Sequence, residues 1–228
     1  MRPTRRTFLE QTAGIALTAR VGAAMPAQVA QGAQPVKLTQ TRTGGDLLSR
    51  MTWLNPPISE NYANGVLNVR ARGKTDFWRK TYYGYVTDNG HFMNFPVAGE
   101  FAMQARVVAD YGALYDQAGI MVRLDERHWM KCGSEFFEGK RWASVVFTHD
   151  YSDWSTMDDV SQSGPAWWRV VRKKDSIEAQ CSKDGEKFTT VRQGYFPADV
   201  KVMVGVMCAS PEGAGFDAVF DQLTIETA

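Results

Sequence analysis

Cysteine and histidine are scarce, with three of each in 228 residues. Cys132, Cys181 and Cys208 form no CxxC pair, and His91, His128 and His149 stand far apart, so the spacing of a zinc site is missing. Each cysteine falls in a β-type run where a small buried thiol is the ordinary reading, with one disulfide left open. No long segment keeps the 3.6-residue apolar period of an amphipathic helix. Beyond the N-terminal leader, no apolar run approaches the roughly 20 residues that span a bilayer. There is no long basic run, no internal repeat and no sign of a second domain.

The leader has its own signature. TRRTFLE carries Arg5 and Arg6, and a weakly apolar stretch follows from about Thr12 to Met25, interrupted by Arg20. This resembles a twin-arginine export signal, so residues 1–33 are expected to be a signal and its flank. Small residues between Ala24 and Ala33 offer several cleavage points. The expected partner of the precursor is the twin-arginine export machinery, and the product is periplasmic or secreted with no stable membrane span after cleavage. Without the four arginines and one glutamate of residues 1–33, the count falls from 26 basic and 25 acidic residues to 22 and 24. A mildly acidic chain without a basic patch argues against a nucleic-acid partner.

Residues 34–47 contain Gly44 and Gly45 and few core-forming residues, and read as a tether or early edge. From 48 to 228 the chain reads as one domain, in which short β-rich runs alternate with Gly, Asn, Asp and Pro. Candidate strands are 64–71, 81–86, 91–95, 100–109, 117–124, 127–136, 141–149, 166–173, 176–182, 188–193, 199–208 and 214–226. Asp88–Asn89–Gly90 and Lys183–Asp184–Gly185 signal tight reversals. The stretch 152–165 reads as a long loop. About twelve strands in one domain predict an all-β sandwich or jelly roll of two antiparallel sheets. Alternation puts Ala118, Ile120 and Val122 in the core, and Gln117, Gly119, Met121 and Arg123 on the other face. It likewise separates Trp129, Lys131, Gly133 and Glu135 from Met130, Cys132, Ser134 and Phe136.

All seven tryptophans lie between Trp53 and Arg172, many beside hydrogen-bonding side chains. Aromatic faces next to directed polar groups suit sugar rings, which stack through C–H faces while their hydroxyls need partners. The plain alternative is a sandwich core filled by large rings. The expected ligand-binding face comprises Asp76, Trp78, Asp116, Gln117, Lys131, Glu135, Trp154, Trp167 and Arg169, with Trp78 and Trp154 stacking. Trp167 and Trp168 must point to opposite faces of their strand, so at least one is core. Asp76 has a competing role as a turn or strand-end cap, and Lys131 with Glu135 could be a structural ion pair.

Several stretches carry a resemblance: WLNPP (53–57), DFWRKTYYG (76–84), DNGH (88–91), YDQAGIMVRLD (115–125), WMKCGSEFFEG (129–139), SVVFTHDYSDWS (144–155), SKDG (182–185) and MCASP (207–211). In this order and spacing the chain resembles the family catalogued as domain of unknown function 1349, also called the regulation of enolase protein 1 family. The resemblance covers roughly residues 48–226. It implies a concanavalin A-like jelly-roll β-sandwich whose concave sheet often binds carbohydrate in related folds. It implies no settled reaction, because function does not follow from a shared sandwich.

Oligosaccharide or polysaccharide binding without chemistry is therefore the expected function. A glycoside hydrolase would need two placed carboxyl groups, for which Glu135 and Asp116 are the candidates. Enzymatic concanavalin A-like relatives often show Glu-x-Asp-x-Glu series, and WMKCGSEF has none. A polysaccharide lyase could use Lys131, Arg169, Tyr115 or His149. A protein-interaction domain is a third reading. No cofactor is expected; Asp217 and Asp221 are candidates for a structural calcium, with solvated or capped carboxylates the simpler account.

Overall fold

A computed structural model describes residues 40–159 and 161–227. The expected export signal and the first part of the tether lie outside them. Two large antiparallel sheets pack face to face as a jelly-roll sandwich. The first runs in the order β15 (Thr189–Tyr195), β14 (Ser176–Ser182), β13 (Ala166–Lys173), β8 (Phe101–Ala109), β17 (Asp217–Thr227), β4 (Val66–Arg70) and β3 (Ser59–Ala63), with β1 (Gln40–Thr43) also pairing with β17. The second runs β12 (Tyr151–Asp158), β11 (Lys140–His149), β10 (His128–Phe137), β9 (Gln117–Arg123), β16 (Val202–Ala209), β7 (His91–Val97) and β2 (Thr52–Leu54). A short hairpin, β5 (Phe77–Arg79) and β6 (Val86–Asp88), stands apart from both.

The core between the sheets follows from period-2 alternation. Ala118, Ile120, Val122, Met130 and Cys132 face Met103, Ala105, Trp168, Val170 and Phe220, all essentially sealed from solvent. Full burial of each large aliphatic or aromatic side chain contributes about 1.5–3 kcal/mol relative to exposure. The three cysteines are buried free thiols. Burial raises the Cys181 thiol to about 11 and the Cys208 thiol to about 12. Neutral, sealed thiols of this kind behave as small apolar groups.

Three sequence expectations change. Residues 81–86 are not a strand: Thr81–Tyr83 are a turn between β5 and β6, with Lys80 at φ 55° and Tyr82 at φ 62°. The 152–165 loop is shorter than expected, because 151–158 pairs along β11 as the edge strand β12. Within the segment read as a tether, Gly44–Leu48 forms one short helix, α1, whose Leu47 and Leu48 enter the core.

A second apolar cluster lies on the outer side of the second sheet. Phe77 and Trp78 from the β5–β6 hairpin pack on Phe92, Met121, Trp129, Val146 and Met207. The hairpin is thus a roof over the sheet. At its root, His91 accepts from the Arg72 amide through Nε2 (2.9 Å), and its Nδ1 lies 2.7 Å from the Asn55 carbonyl. That pairing uses the neutral ring, with Nδ1–H donating, and burial lowers the pKa of His91 from its ordinary value near 6.5. The unfolded chain therefore binds the proton first. The stabilisation is full above about pH 6.5 and is lost as pH falls from there through the lowered folded value. Thermal unfolding should occur at lower temperature at pH 5.5 than at pH 7.5, with His91 mostly neutral by NMR at pH 6.5, Nδ1 alone carrying the proton. A His91 midpoint at or above 6.5 would contradict this.

Candidate ligand-binding cleft

Register builds the face under the roof row by row. Across β9, β10, β11 and β12 the rows read Met121–Lys131–Val146–Trp154 and Arg123–Trp129–Thr148–Ser152. Between Lys131 and Glu135 runs the row Gly119–Gly133–Ser144, where side chains are small or absent. A Cβ on Gly119 would stand 1.9 Å from the Cys132 carbonyl oxygen, so the strands meet here at a distance only glycine permits. Beside Gln117, Lys131, Glu135 and Ser144 this row leaves a hollow of only about 10 Å³.

The polar residues predicted for an open binding face lie mostly beneath the roof. Asp76, Gln117, Lys131 and Glu135 are each at most 4 % exposed. Asp76 Oδ1 accepts from the Phe77 amide (2.8 Å), Lys131 Nζ (3.2 Å) and Gln117 Nε2 (3.4 Å). Lys131 also donates to the Phe77 carbonyl at 2.8 Å. Lys131 thus pairs with Asp76 of the roof, and Asp76 does cap its neighbour as the alternative reading held. Strand alternation could not reveal this, because the pair is 55 residues apart.

Asp116 belongs elsewhere. Its Oδ2 accepts from the amides of Gly112 (3.0 Å) and Ala113 (2.8 Å), and its Oδ1 accepts from Ser210 Oγ (2.6 Å). It ties the loop before β9 to the end of β16. Trp167 and Arg169 sit on the outer face of the other sheet. Trp167 Nε1 donates to Gln222 at 3.0 Å, and Arg169 donates to Gln104 while lying 3.7 Å over the Phe188 ring. Alternation correctly separated Trp167 from the buried Trp168 but says nothing about which sheet a strand joins. On β17, Asp217 pairs with Arg70 at 3.2 Å and Asp221 with Arg106 at 2.5 Å. Among the described residues no group of three or more His, Cys, Asp or Glu is placed to hold a metal.

One flank of the roofed face stays open. The turn at Thr81–Tyr83 and the start of β12 enclose a cleft of about 660 Å³ lined by Trp78, Tyr82, Tyr83, Tyr151, Ser152, Asp153, Trp154 and Thr81. Tyr82 is 49 % exposed and Tyr151 60 %, whereas Trp78 is nearly sealed. Trp78 packs edge-on to Tyr83 at 5.7 Å, and Tyr82 edge-on to Tyr83 at 4.9 Å. Trp154 is held from behind: its indole N–H lies 3.1 Å from Glu135 Oε2 and 3.0 Å from Ser144 Oγ, and its ring packs on Phe137 at 5.4 Å. The roof is tied to β12 where the Arg79 amide donates to Ser152 Oγ at 2.9 Å.

The predicted stacking residues Trp78 and Trp154 are thus brought together. Sequence reading missed Tyr82, Tyr83, Tyr151 and Asp153, although all four lie in the stretches DFWRKTYYG and SVVFTHDYSDWS. At the mouth, Asp150 pairs with Arg79 (3.1 Å) and Lys80 (2.5 Å), and these cations hold its carboxyl below the usual carboxylate range. Asp153 pairs with Arg192 at 2.7 Å.

Residues 53–228 match the sequence profile of the family described as protein of unknown function (DUF1349). The chain belongs to this family. It is 39% identical over 178 residues to "Regulation of enolase protein 1" of Saccharomyces cerevisiae, covering 78% of this chain and 90% of that one. The crystal structure of a functionally unknown protein from Saccharomyces cerevisiae superposes with a TM-score of 0.77 at 39% identity, covering 79% of this chain and 98% of the other. A GH43 protein of Bacillus licheniformis, BlXynB, matches at a TM-score of 0.61 and 15% identity over 78% of this chain and 37% of that one. At that identity the likeness concerns the fold alone: this DUF1349 chain is a β-sandwich of the kind found within glycoside hydrolase structures.

Proposed function

We propose that this DUF1349 protein recognises carbohydrate, binding an oligosaccharide or a polysaccharide segment in the aromatic cleft without altering it. The observation that carries this reading is the cleft itself, with aromatic rings from two walls and the exposed rings of Tyr82 and Tyr151 along it. Parallel access to ring faces and directed polar groups is what a sugar needs. A concave cleft of this volume fits a ligand better than the flat patch expected of a protein-docking surface.

The arrangement of carboxyl groups favours binding over hydrolysis. Cleavage of a glycosidic bond generally uses two carboxyl groups flanking it. Asp116 is engaged by Ser210 and two amides, and Glu135 lies behind Trp154. For elimination, Lys131 is under the roof with Asp76, and Arg169 is on the other sheet. Incubating residues 34–228 with a panel of oligosaccharides should give saturable binding with every ligand mass unchanged. A hydrated or unsaturated product would replace recognition with catalysis.

Export by the twin-arginine route completes the proposal and rests on the leader sequence. Buried free thiols suit a domain that folds before it is translocated. Arg5→Lys with Arg6→Lys should retain the precursor in the cytoplasm of a host with this route. Unchanged export would remove that part.

A further inference from the structure

We infer that one end of the second sheet carries a site for an exchangeable divalent transition-metal ion, held by Nε2 of His128 and Nδ1 of His149. This site is independent of the carbohydrate reading. Strand register sets the two histidines directly opposite each other on β10 and β11. Opposite residues of an antiparallel pair project from one face, with Cβ atoms about 4.5–5.5 Å apart. The two ring centroids lie 6.0 Å apart and the planes are inclined by 53°. Metal–nitrogen bonds of about 2.0–2.1 Å place two imidazole centres on one ion roughly 5–6 Å apart, so little movement is required. Both rings are within reach of an ion from solvent: His149 is exposed and the His128 side chain is 37 % exposed.

Each ring already has one nitrogen committed as a donor. His128 Nδ1 lies 2.9 and 3.0 Å from the two carboxylate oxygens of Asp125, which only accept, so Nδ1 carries a proton. Asp125 is in turn fixed by the amides of Arg127 (2.7 Å) and His128 (2.8 Å). His149 Nε2 lies 3.0 Å from the Tyr195 carbonyl oxygen, again an acceptor, so there Nε2 carries a proton. In the neutral rings the lone pairs are therefore left on His128 Nε2 and His149 Nδ1. A carboxylate or carbonyl behind the ring is the usual second partner of a metal-bound histidine, because it fixes the tautomer and the ring orientation. The Tyr195 and Phe196 rings, at 5.6 and 6.2 Å, pack on His149 and limit its rotation. Two imidazoles are fewer protein ligands than a resident zinc site uses, so water completes the coordination and the ion exchanges. Imidazole ligands favour Cu2+, Ni2+ and Zn2+ over Mg2+, with Cu2+ held most tightly.

The test is equilibrium dialysis of the untagged full-length chain against Cu2+, Ni2+, Zn2+ and Mg2+ at pH 7.5, with electron paramagnetic resonance of the Cu2+ form. One Cu2+ should bind per chain, more tightly than Ni2+ or Zn2+, with no saturable uptake of Mg2+. The Cu2+ spectrum should show splitting from two equatorial nitrogens. His128→Gln and His149→Gln should each weaken Cu2+ binding at least tenfold and leave splitting from one nitrogen. Binding that depends on only one histidine, or that survives in the double variant, would overturn the site. So would a parent spectrum with one coordinated nitrogen or none, a result that does not depend on how well any variant folds.

Discussion

Lys131→Met should lower the stability of the domain by about 3–5 kcal/mol, the usual cost of removing one partner from a buried ion pair. The reason is the carboxylate left behind. Asp76 is 4 % exposed, and the substitution would take the Lys131 ammonium from a buried carboxylate that also accepts from Gln117 and the Phe77 amide. For a domain of this size the loss corresponds to about 6–20 °C in Tm. The double variant Asp76→Asn, Lys131→Met should recover most of it, since neutralising both partners removes the stranded charge. Denaturant unfolding monitored by tryptophan fluorescence reads both. A single-variant cost below about 1 kcal/mol would show that the roof does not depend on this pair. The fold consequence is specific: Asp76 heads the β5–β6 hairpin, so loss of the pair should loosen the roof before the sandwich opens.

Trp154→Ala should weaken glycan binding about thirtyfold, or about 2 kcal/mol, the scale on which a central aromatic contact contributes to a binding site. Trp154 forms one wall of the cleft, and its N–H to Glu135 and Ser144 fixes the angle of the ring. Trp154→Phe keeps a ring face but loses that fixing hydrogen bond, so its affinity should fall between the parent and the alanine variant. Tyr82→Ala is the companion, because a half-exposed side chain at a turn can be removed with little cost to folding. Trp78→Ala tests the site less cleanly, since Trp78 also packs in the cluster beneath the roof. Parent-like affinity in folded Trp154→Ala and Tyr82→Ala would move the ligand away from this cleft.

The sequence made the strands and their buried faces legible where alternation was clean. Ala118, Ile120 and Val122 are core and Trp168 is sealed, as period 2 required. Alternation failed where a segment lacks a face of its own. The residues 81–86 are β-rich in composition, but Tyr82 and Gly84 take positive φ and close a hairpin loop. Tyr151–Asp158 has polar residues on both sides because it is an edge strand, half of whose backbone pairing is absent. Trp154, expected to stack, lines the cleft there. Asp116 was misplaced because a carboxylate that caps a loop and one that faces a ligand have the same identity in one dimension.

By itself, the chain determined its fold class, its family, most of its strands and which side of each strand is apolar. These properties are encoded locally, in a two-residue period and in motifs a few residues long. Only the tertiary structure decided that residues 76–88 fold over the second sheet, that Asp76 meets Lys131, and that Trp167 and Arg169 face outward from the other sheet. Those outcomes depend on contacts across 55 or more residues and on strand order, which a side-chain period does not contain. The roof converts a predicted open face into a buried polar network and leaves as the open feature the cleft between Tyr82 and Trp154.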